Sequence, residues 1–153
     1  MDAPEQSDSE LPDVSVVIAT FMREQVLIDT INCVLTQCPP AKEILVIDQS
    51  PSHDPETESQ LASWSESGKI RWTKLSKPSI TRAMNYGLQE AKSPIVLFLD
   101  DDITASSDLV CLHAQEYCSW PEAVAVVGQV LQPGEIPRDV SHGLDRSGIR
   151  ADF

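Results

Sequence analysis

Residues 96–104 read VLFLDDDIT, an apolar run that ends in three consecutive carboxylates, Asp100, Asp101 and Asp102. The apolar run predicts a buried strand at 95–99. If extended geometry continues past it, Asp100 and Asp102 project to one side and Asp101 to the other. Carboxylates this close repel each other unless a cation lies between them, and Mg²⁺ or Mn²⁺ suits carboxylates and substrate phosphate oxygens. The pattern indicates a divalent metal site at Asp100 and Asp102. The alternative is a solvated turn that caps the next helix.

Apolar periodicity extends this pattern to the rest of the chain. Strands are predicted at 14–20, 44–48, 70–75, 95–99 and 123–130. Helices are predicted at 24–37, 56–66, 79–91, and from Ser106 or Ser107 to about 118. Alternating strands and helices indicate an α/β fold with a mostly parallel, Rossmann-like sheet. We divide the chain into an acidic tail at 1–13, a sheet-forming region at 14–131 and an irregular segment at 132–153.

Polar residues close three of the predicted strands. Thr20, Asp48 and Asp100 each stand at a carboxyl end. In parallel α/β sheets ligands collect outside these ends, where the loops converge. The three residues are therefore candidates for one binding site.

Composition narrows the classes of partner. The chain has 153 residues and a formal net charge of −13, from 24 acidic and 11 basic residues. Such a balance argues against sequence-independent binding to nucleic acid or to an anionic membrane, since both need clustered Lys and Arg. The expected partners are neutral, cationic, or anions presented through a metal.

Hydropathy and cysteine usage predict a cytoplasmic protein. The longest apolar runs fall far short of the roughly 20 residues of a membrane-spanning helix, so no transmembrane segment is predicted, and the opening residues lack the features of a secretory signal. The four cysteines include no C-x-x-C pair, which favours reduced thiols. A zinc site formed by Cys111, His113 and Cys118 is the alternative.

Three segments taken in order, VSVVIATFMRE, EILVIDQS and SITRAMNYGLQEAKSPIVLFLDDD, resemble the family 2 glycosyltransferases of the GT-A fold. The resemblance runs from residue 14 to about 130. It implies that Thr20 and Asp48 contact the base and ribose of a UDP- or GDP-type sugar. It also implies that Asp100 contacts the ribose or donor sugar, that Asp102 binds the metal bridging the diphosphate, and that Arg82 faces the diphosphate or donor.

The sequence departs from the family pattern at several positions. Ala19 and Met22 replace the usual Pro and Asn, Gln49 replaces a second Asp after the second strand, and Met84 replaces an expected Arg. Gln49 bears most on base recognition, because an amide offers a donor where a carboxylate offers only acceptors.

The resemblance implies transfer of a sugar from a nucleoside-diphosphate donor to a hydroxyl acceptor. In this family the general base lies well beyond the metal motif, and no carboxylate after Asp102 stands in a recognisable motif. Those available are Glu116, Glu122, Glu135, Asp139 and Asp145. We therefore expect the nucleotide-sugar-binding half of a transferase domain, without the acceptor half and the catalytic base.

Two other functions are compatible with the residues. Residues 100–104 fit the D-x-D-x-T nucleophile loop of haloacid dehalogenase-like phosphatases, but no Lys follows Lys92 and no adjacent acidic pair follows Asp102. A non-catalytic domain that binds nucleotide, or serves as an interaction module, is the other alternative.

Overall fold

The computed structural model describes residues 11–137, in which four strands alternate with four helices. The strands are β1 (Val14–Thr20), β2 (Glu43–Asp48), β3 (Arg71–Lys74) and β4 (Ile95–Leu99). The helices are α1 (Gln25–Leu35), α2 (Pro55–Glu66), α3 (Ile80–Glu90) and α4 (Leu109–Ser119). Most of the predicted segments 1–13 and 132–153 lies outside the described residues.

The four strands form one parallel sheet in the order β3-β2-β1-β4. This confirms the predicted α/β class. Strand order runs outward from β1 through β2 to β3, and the chain then returns to place β4 on the other side of β1. The order therefore reverses between β1 and β4, which is where open α/β sheets bind ligands at their carboxyl ends.

Helices cover both faces of the sheet, which explains why the strands read as nearly continuous apolar runs. On one face Val16, Ile18 and Val46 pack against apolar residues of α1, α2 and α4. On the other face Val17 and Ile47 pack with Ala83 of α3. None of the helices among residues 11–137 has the length and apolar character needed to cross a bilayer.

The predicted fifth strand at 123–130 is wrong. These residues form no strand, and Val124, Val127 and Val130 are 99%, 90% and 76% exposed. β-branched composition supplies only a propensity, and a strand forms when its backbone pairs with a neighbour. The outer edge of β4 pairs with no strand of the described chain.

The predicted serine cap of the last helix is also wrong. Helix α4 begins at Leu109, and its N-cap residue is Asp108, whose side chain makes no capping hydrogen bond. The side chain of Gln37, just beyond the end of α1, supplies an acceptor instead: Val110 N donates to Gln37 Oε1 at 3.2 Å. A residue distant in sequence satisfies one of the free backbone donors of the helix.

A partly buried ionic network ties the sheet together at the edge opposite the carboxyl ends. Glu43 Oε1 accepts hydrogen bonds from Ser15 Oγ at 2.7 Å and Lys92 N at 2.6 Å, and Arg71 Nη1 donates to Glu43 Oε2 at 3.0 Å. Burial raises the pKa of the Glu43 carboxyl, but these hydrogen bonds outweigh burial and leave its pKa lowered. The network therefore joins the starts of β1, β2 and β3.

Helix α3 approaches the sheet closely at Gly87. A β-carbon at this position would clash with the side chain of Val17 in the central strand β1. We predict that Gly87→Ala lowers the free energy of unfolding, because overpacking costs about 1–3 kcal/mol and exceeds the helix-propensity gain of about 1 kcal/mol. Urea denaturation checks this. Leu88→Ala, at a half-exposed position of the same helix, should lower the free energy of unfolding by less. An unchanged urea midpoint for Gly87→Ala would contradict the close approach of α3 to β1.

The Glu43 network predicts a defined pH dependence of stability. A carboxyl whose pKa is lowered on folding stabilises the protein above its unfolded pKa, about 4.3, and loses that contribution as the pH falls through the folded value. Glu43→Gln should therefore be less stable than the parent at pH 7, and the difference should shrink below about pH 4. Chemical denaturation from pH 3 to 8 measures it. Glu58→Gln, in an exposed pair with Lys74, should have a smaller effect, and a constant difference at all pH values would exclude the carboxylate as its cause.

Candidate functional site

The candidate site lies where the strand order reverses, at the carboxyl ends of β1 and β4. Thr20 ends β1, and Asp100 directly follows β4. The two strands pair in parallel, with Ile18 opposite Leu99, so the loops that follow them leave the same edge of the sheet. On the other side of β1, Thr20 pairs with Asp48 of β2. The sheet thus brings the ends of these three strands to one rim.

The three consecutive carboxylates differ in environment from our expectation. The extended backbone stops at Leu99, and Asp101 and Asp102 form a turn. Asp101 is buried, whereas Asp100 and Asp102 are exposed. Arg23 contacts the two turn residues together: Nε lies 3.5 Å from Asp101 Oδ1 and Nη2 lies 3.1 Å from Asp102 Oδ2. The extended geometry on which the alternation of sides depended ends at Leu99, so the alternation does not apply to Asp101 and Asp102.

Helix α1 anchors this acidic turn. Thr30 Oγ1, which is buried, lies 3.1 Å from the carbonyl oxygens of both Asp101 and Ile103 and can donate its hydrogen to either. The thiol of Cys33, one helical turn later, contacts Ala105 O at 3.2 Å and accepts from Ala105 N at 3.3 Å. Sequence reasoning missed both residues. The available signal was a polar residue between Leu27 and Ile31 on the apolar face of the helix.

The donor set of the turn suits a hard divalent cation. Asp100 and Asp102 present exposed carboxylate oxygens, and Mg²⁺ in particular is often bound by one or two carboxylates with phosphate and water completing the shell. Within residues 11–137 no three His, Cys, Asp or Glu side chains are grouped so as to hold a metal without such help. The same observation removes the zinc alternative at Cys111, His113 and Cys118, and all four cysteines are free thiols.

Asp48 is placed differently from the acidic turn, since its side chain has no exposed surface. Oδ1 accepts a hydrogen bond from Ser50 N at 2.7 Å. Oδ2 accepts from Trp72 Nε1 at 3.1 Å and lies 2.9 Å from His53 Nε2. The carboxylate is therefore held by three protein groups. Its contact with a nucleotide stays a prediction that would need this cover to open.

The loops after β1 and β2 are bonded to each other. Gln49 N donates to Thr20 O at 2.9 Å, and Met22 N donates to Ser50 Oγ at 2.9 Å. The side-chain oxygen of Gln49, which replaces an acidic residue of the family pattern, accepts a hydrogen bond from Ser79 N at the start of α3. Gln49 therefore links the rim to α3.

Thr20 has a hydroxyl that is enclosed and unpartnered, whereas Arg82 is exposed. Thr20 is 2% exposed, and its hydroxyl has no hydrogen-bond partner, which is costly for a buried polar group. The guanidinium of Arg82 is exposed on α3 and makes no ion pair with the acidic turn among the described residues. Arg82 lines a shallow depression with Ser79, Thr81, Asn85, Tyr86 and Gln89.

Several solved structures resemble this fold. Staphylococcus aureus TarS is 18% identical with a TM-score of 0.58, over 70% of this chain and 20% of that chain. TarS residues 1–349 in complex with UDP-GlcNAc are 19% identical with a TM-score of 0.56, over 70% of this chain and 31% of that chain. The mannosyltransferase PcManGT of Pyrobaculum calidifontis, in complex with GDP-Man and Mn²⁺, is 21% identical with a TM-score of 0.52, over 61% of this chain and 28% of that chain. The chain thus spans less than a third of each of these chains.

The sequence comparisons identify the family. No curated protein matches the chain. The model of glycosyl transferase family 2 matches residues 15–149, which is most of the chain and includes all the candidate site residues. This match sets aside the phosphatase alternative. The chain belongs to glycosyl transferase family 2.

Proposed function

We propose that this chain binds a nucleoside-diphosphate sugar through a divalent metal at the acidic turn and serves the transfer of the sugar to a hydroxyl acceptor. The observation that carries the proposal is the position of Asp100–Asp102 beside Thr20, at the point where the strand order reverses. A Mg²⁺ or Mn²⁺ ion is needed there because the chain is strongly acidic and otherwise repels a diphosphate.

The exposed carboxylates have the metal-binding role in this proposal. Asp102 binds the ion, and Asp100 binds it or contacts the ribose or donor sugar. The bound ion would stabilise the negative charge of the diphosphate leaving group as a Lewis acid. Asp101, which is mostly buried against Arg23, holds the turn in shape instead.

The uncharged and basic groups of the rim have the nucleotide role. The hydroxyl of Thr20 has no partner in the protein, and a nucleoside that reaches it after a small movement of the enclosing residues would satisfy it as donor or acceptor. Arg82 offers a guanidinium that suits phosphate oxygens. Arg82 lies in the first turn of α3, close to Ser79 and Thr81, and all three residues line the depression.

The ligands of structurally similar proteins support this class of donor. PcManGT is in complex with GDP-Man and Mn²⁺, and TarS residues 1–349 are in complex with UDP-GlcNAc. We therefore extend a UDP- or GDP-type sugar and a divalent metal to this chain as a proposal. A cytoplasmic location stays a prediction of the sequence.

Metal-dependent nucleotide binding tests the proposal. We predict that UDP or GDP binds in the presence of Mn²⁺ or Mg²⁺, and that Asp102→Asn loses at least tenfold in affinity because it removes the charge assigned to the metal. Isothermal titration calorimetry with metal and with chelator measures this. Asp13→Asn, a matched change at the opposite end of β1, should bind like the parent.

Two outcomes would contradict this assignment. Equal nucleotide binding in chelator would remove the metal from the function. Unchanged binding by Asp102→Asn, with Mn²⁺ affinity also unchanged in the absence of nucleotide, would make Asp102 an ordinary surface carboxylate.

The unpartnered hydroxyl of Thr20 gives a second prediction. Thr20→Val should leave stability unchanged or raise it, because it removes a buried polar group without a partner, and it should weaken nucleotide binding several-fold, the loss expected for about 0.5–1.5 kcal/mol. Thr30→Val is the matched control, since its buried hydroxyl is bonded to the acidic turn; it should lose about 1–3 kcal/mol of stability. Denaturation and calorimetry provide the two measurements. A Thr20→Val variant as unstable as Thr30→Val would show that the Thr20 hydroxyl has a hydrogen-bond partner within the protein.

A further inference from the structure

The carboxylate of Asp48 has no surface left for a ligand. Its side chain is 0% exposed, although Asp48 ends the strand that pairs with β1. Oδ1 accepts from Ser50 N, and Oδ2 accepts from Trp72 Nε1 and contacts His53 Nε2. All three partners belong to the chain itself, so the oxygens of this rim residue are used internally.

The two side chains that cover Asp48 are themselves fixed. His53 has no exposed side-chain surface, and its Nδ1 lies 3.2 Å from Glu24 Oε2, in the loop that follows β1. The indole of Trp72 lies on β3 with Lys74 Nζ 4.7 Å from its ring centroid, a cation–π contact. Glu24 also accepts from Asp54 N, the N-cap residue of α2. Three elements therefore hold the cover in place.

The residue next to Asp48 is also committed within the protein. The side-chain oxygen of Gln49 accepts from Ser79 N, and Gln49 is 5% exposed. The side-chain oxygens of Asp48, the last residue of β2, and of Gln49, the next residue, are therefore bonded to protein groups. At the paired position of β1 the hydroxyl of Thr20 has no partner in the protein, but it is enclosed as the Asp48 carboxylate is.

This arrangement has a consequence for base selection. Uracil and guanine carry a ring N–H on their pairing edge, whereas cytosine and adenine carry a ring-nitrogen acceptor there. An ionised carboxylate is an acceptor only, so a free one favours uracil and guanine. A site built to hydrogen-bond such a group rejects analogues that lack it. A carboxylate whose oxygens are enclosed and bonded within the protein makes no such selection.

We propose that His53 and Trp72 determine nucleotide specificity by covering Asp48, so that this chain binds its nucleoside diphosphate without reading the ring N–H of the base. Affinity then comes from the diphosphate and the ribose. This inference rests on the proposed function, because it concerns the same nucleotide site.

The test compares bases with and without the ring N–H. We expect Mn²⁺-dependent calorimetry of the intact chain to give dissociation constants within about threefold for UDP and CDP, and likewise for GDP and ADP. Asp48→Asn should leave both ratios unchanged even where every affinity falls together. A UDP preference of tenfold or more over CDP that Asp48→Asn abolishes would overturn the inference while the proposed function stands.

Opening the cover provides the converse test. His53→Ala exposes Asp48 and should create a UDP preference over CDP of roughly tenfold, which the double variant with Asp48→Asn removes. Trp72→Phe keeps an aromatic ring but removes the hydrogen bond to Asp48 Oδ2, and it should also raise the affinity for UDP relative to CDP. Trp64→Phe removes an indole that makes no hydrogen bond to Asp48 and should not change it. Unaltered ratios in folded His53→Ala and Trp72→Phe proteins would overturn the role of the cover.

Failure of the underlying function has a separate signature. If none of the four diphosphates binds with Mn²⁺, the proposed function is contradicted, and the inference about the base falls with it. Binding of all four with similar affinity supports both statements. Binding with a preference that depends on Asp48 supports only the proposed function.

Discussion

The parallel pairing of β1 with both β2 and β4 is the constraint on which the site depends. β1 is the first strand in the chain but an inner strand of the sheet, so the last strand returns to its free side. That return brings Asp100 to the edge of the sheet where β1 ends at Thr20, although the two residues are distant in sequence. Packing on both faces holds β1 in place, with Gly87 allowing α3 to approach Val17.

Carboxylates at the ends of β2 and β4 have opposite environments. Asp48 is enclosed and bonded to protein donors, which offsets the cost of burying a charge. Asp100 and Asp102 are exposed, and the single guanidinium of Arg23 is shared between Asp101 and Asp102. An exposed acidic turn in a chain of net charge −13 favours cations and repels a bare diphosphate.

Helix α1 contributes to the site as well as to the core. Its apolar residues pack against the sheet, while Thr30 and Cys33 hold the backbone that follows β4. Gln37, just beyond the helix, bonds to the start of α4. The acidic turn is thus held at several points by one rigid element, which is the kind of support a binding site needs to keep its geometry.

The sequence by itself determined the local elements and the residues at their ends. The bounds of β1 and β4 and the α/β class follow from compact apolar runs and helical periodicity, which depend on neighbouring residues. Only the tertiary structure decided which strand ends meet and which carboxylates are free. Asp48 is covered by Trp72, from the next strand, and the β-branched segment at 123–130 pairs with no strand of the sheet. Such contacts join residues far apart in the chain, so no local pattern encodes them.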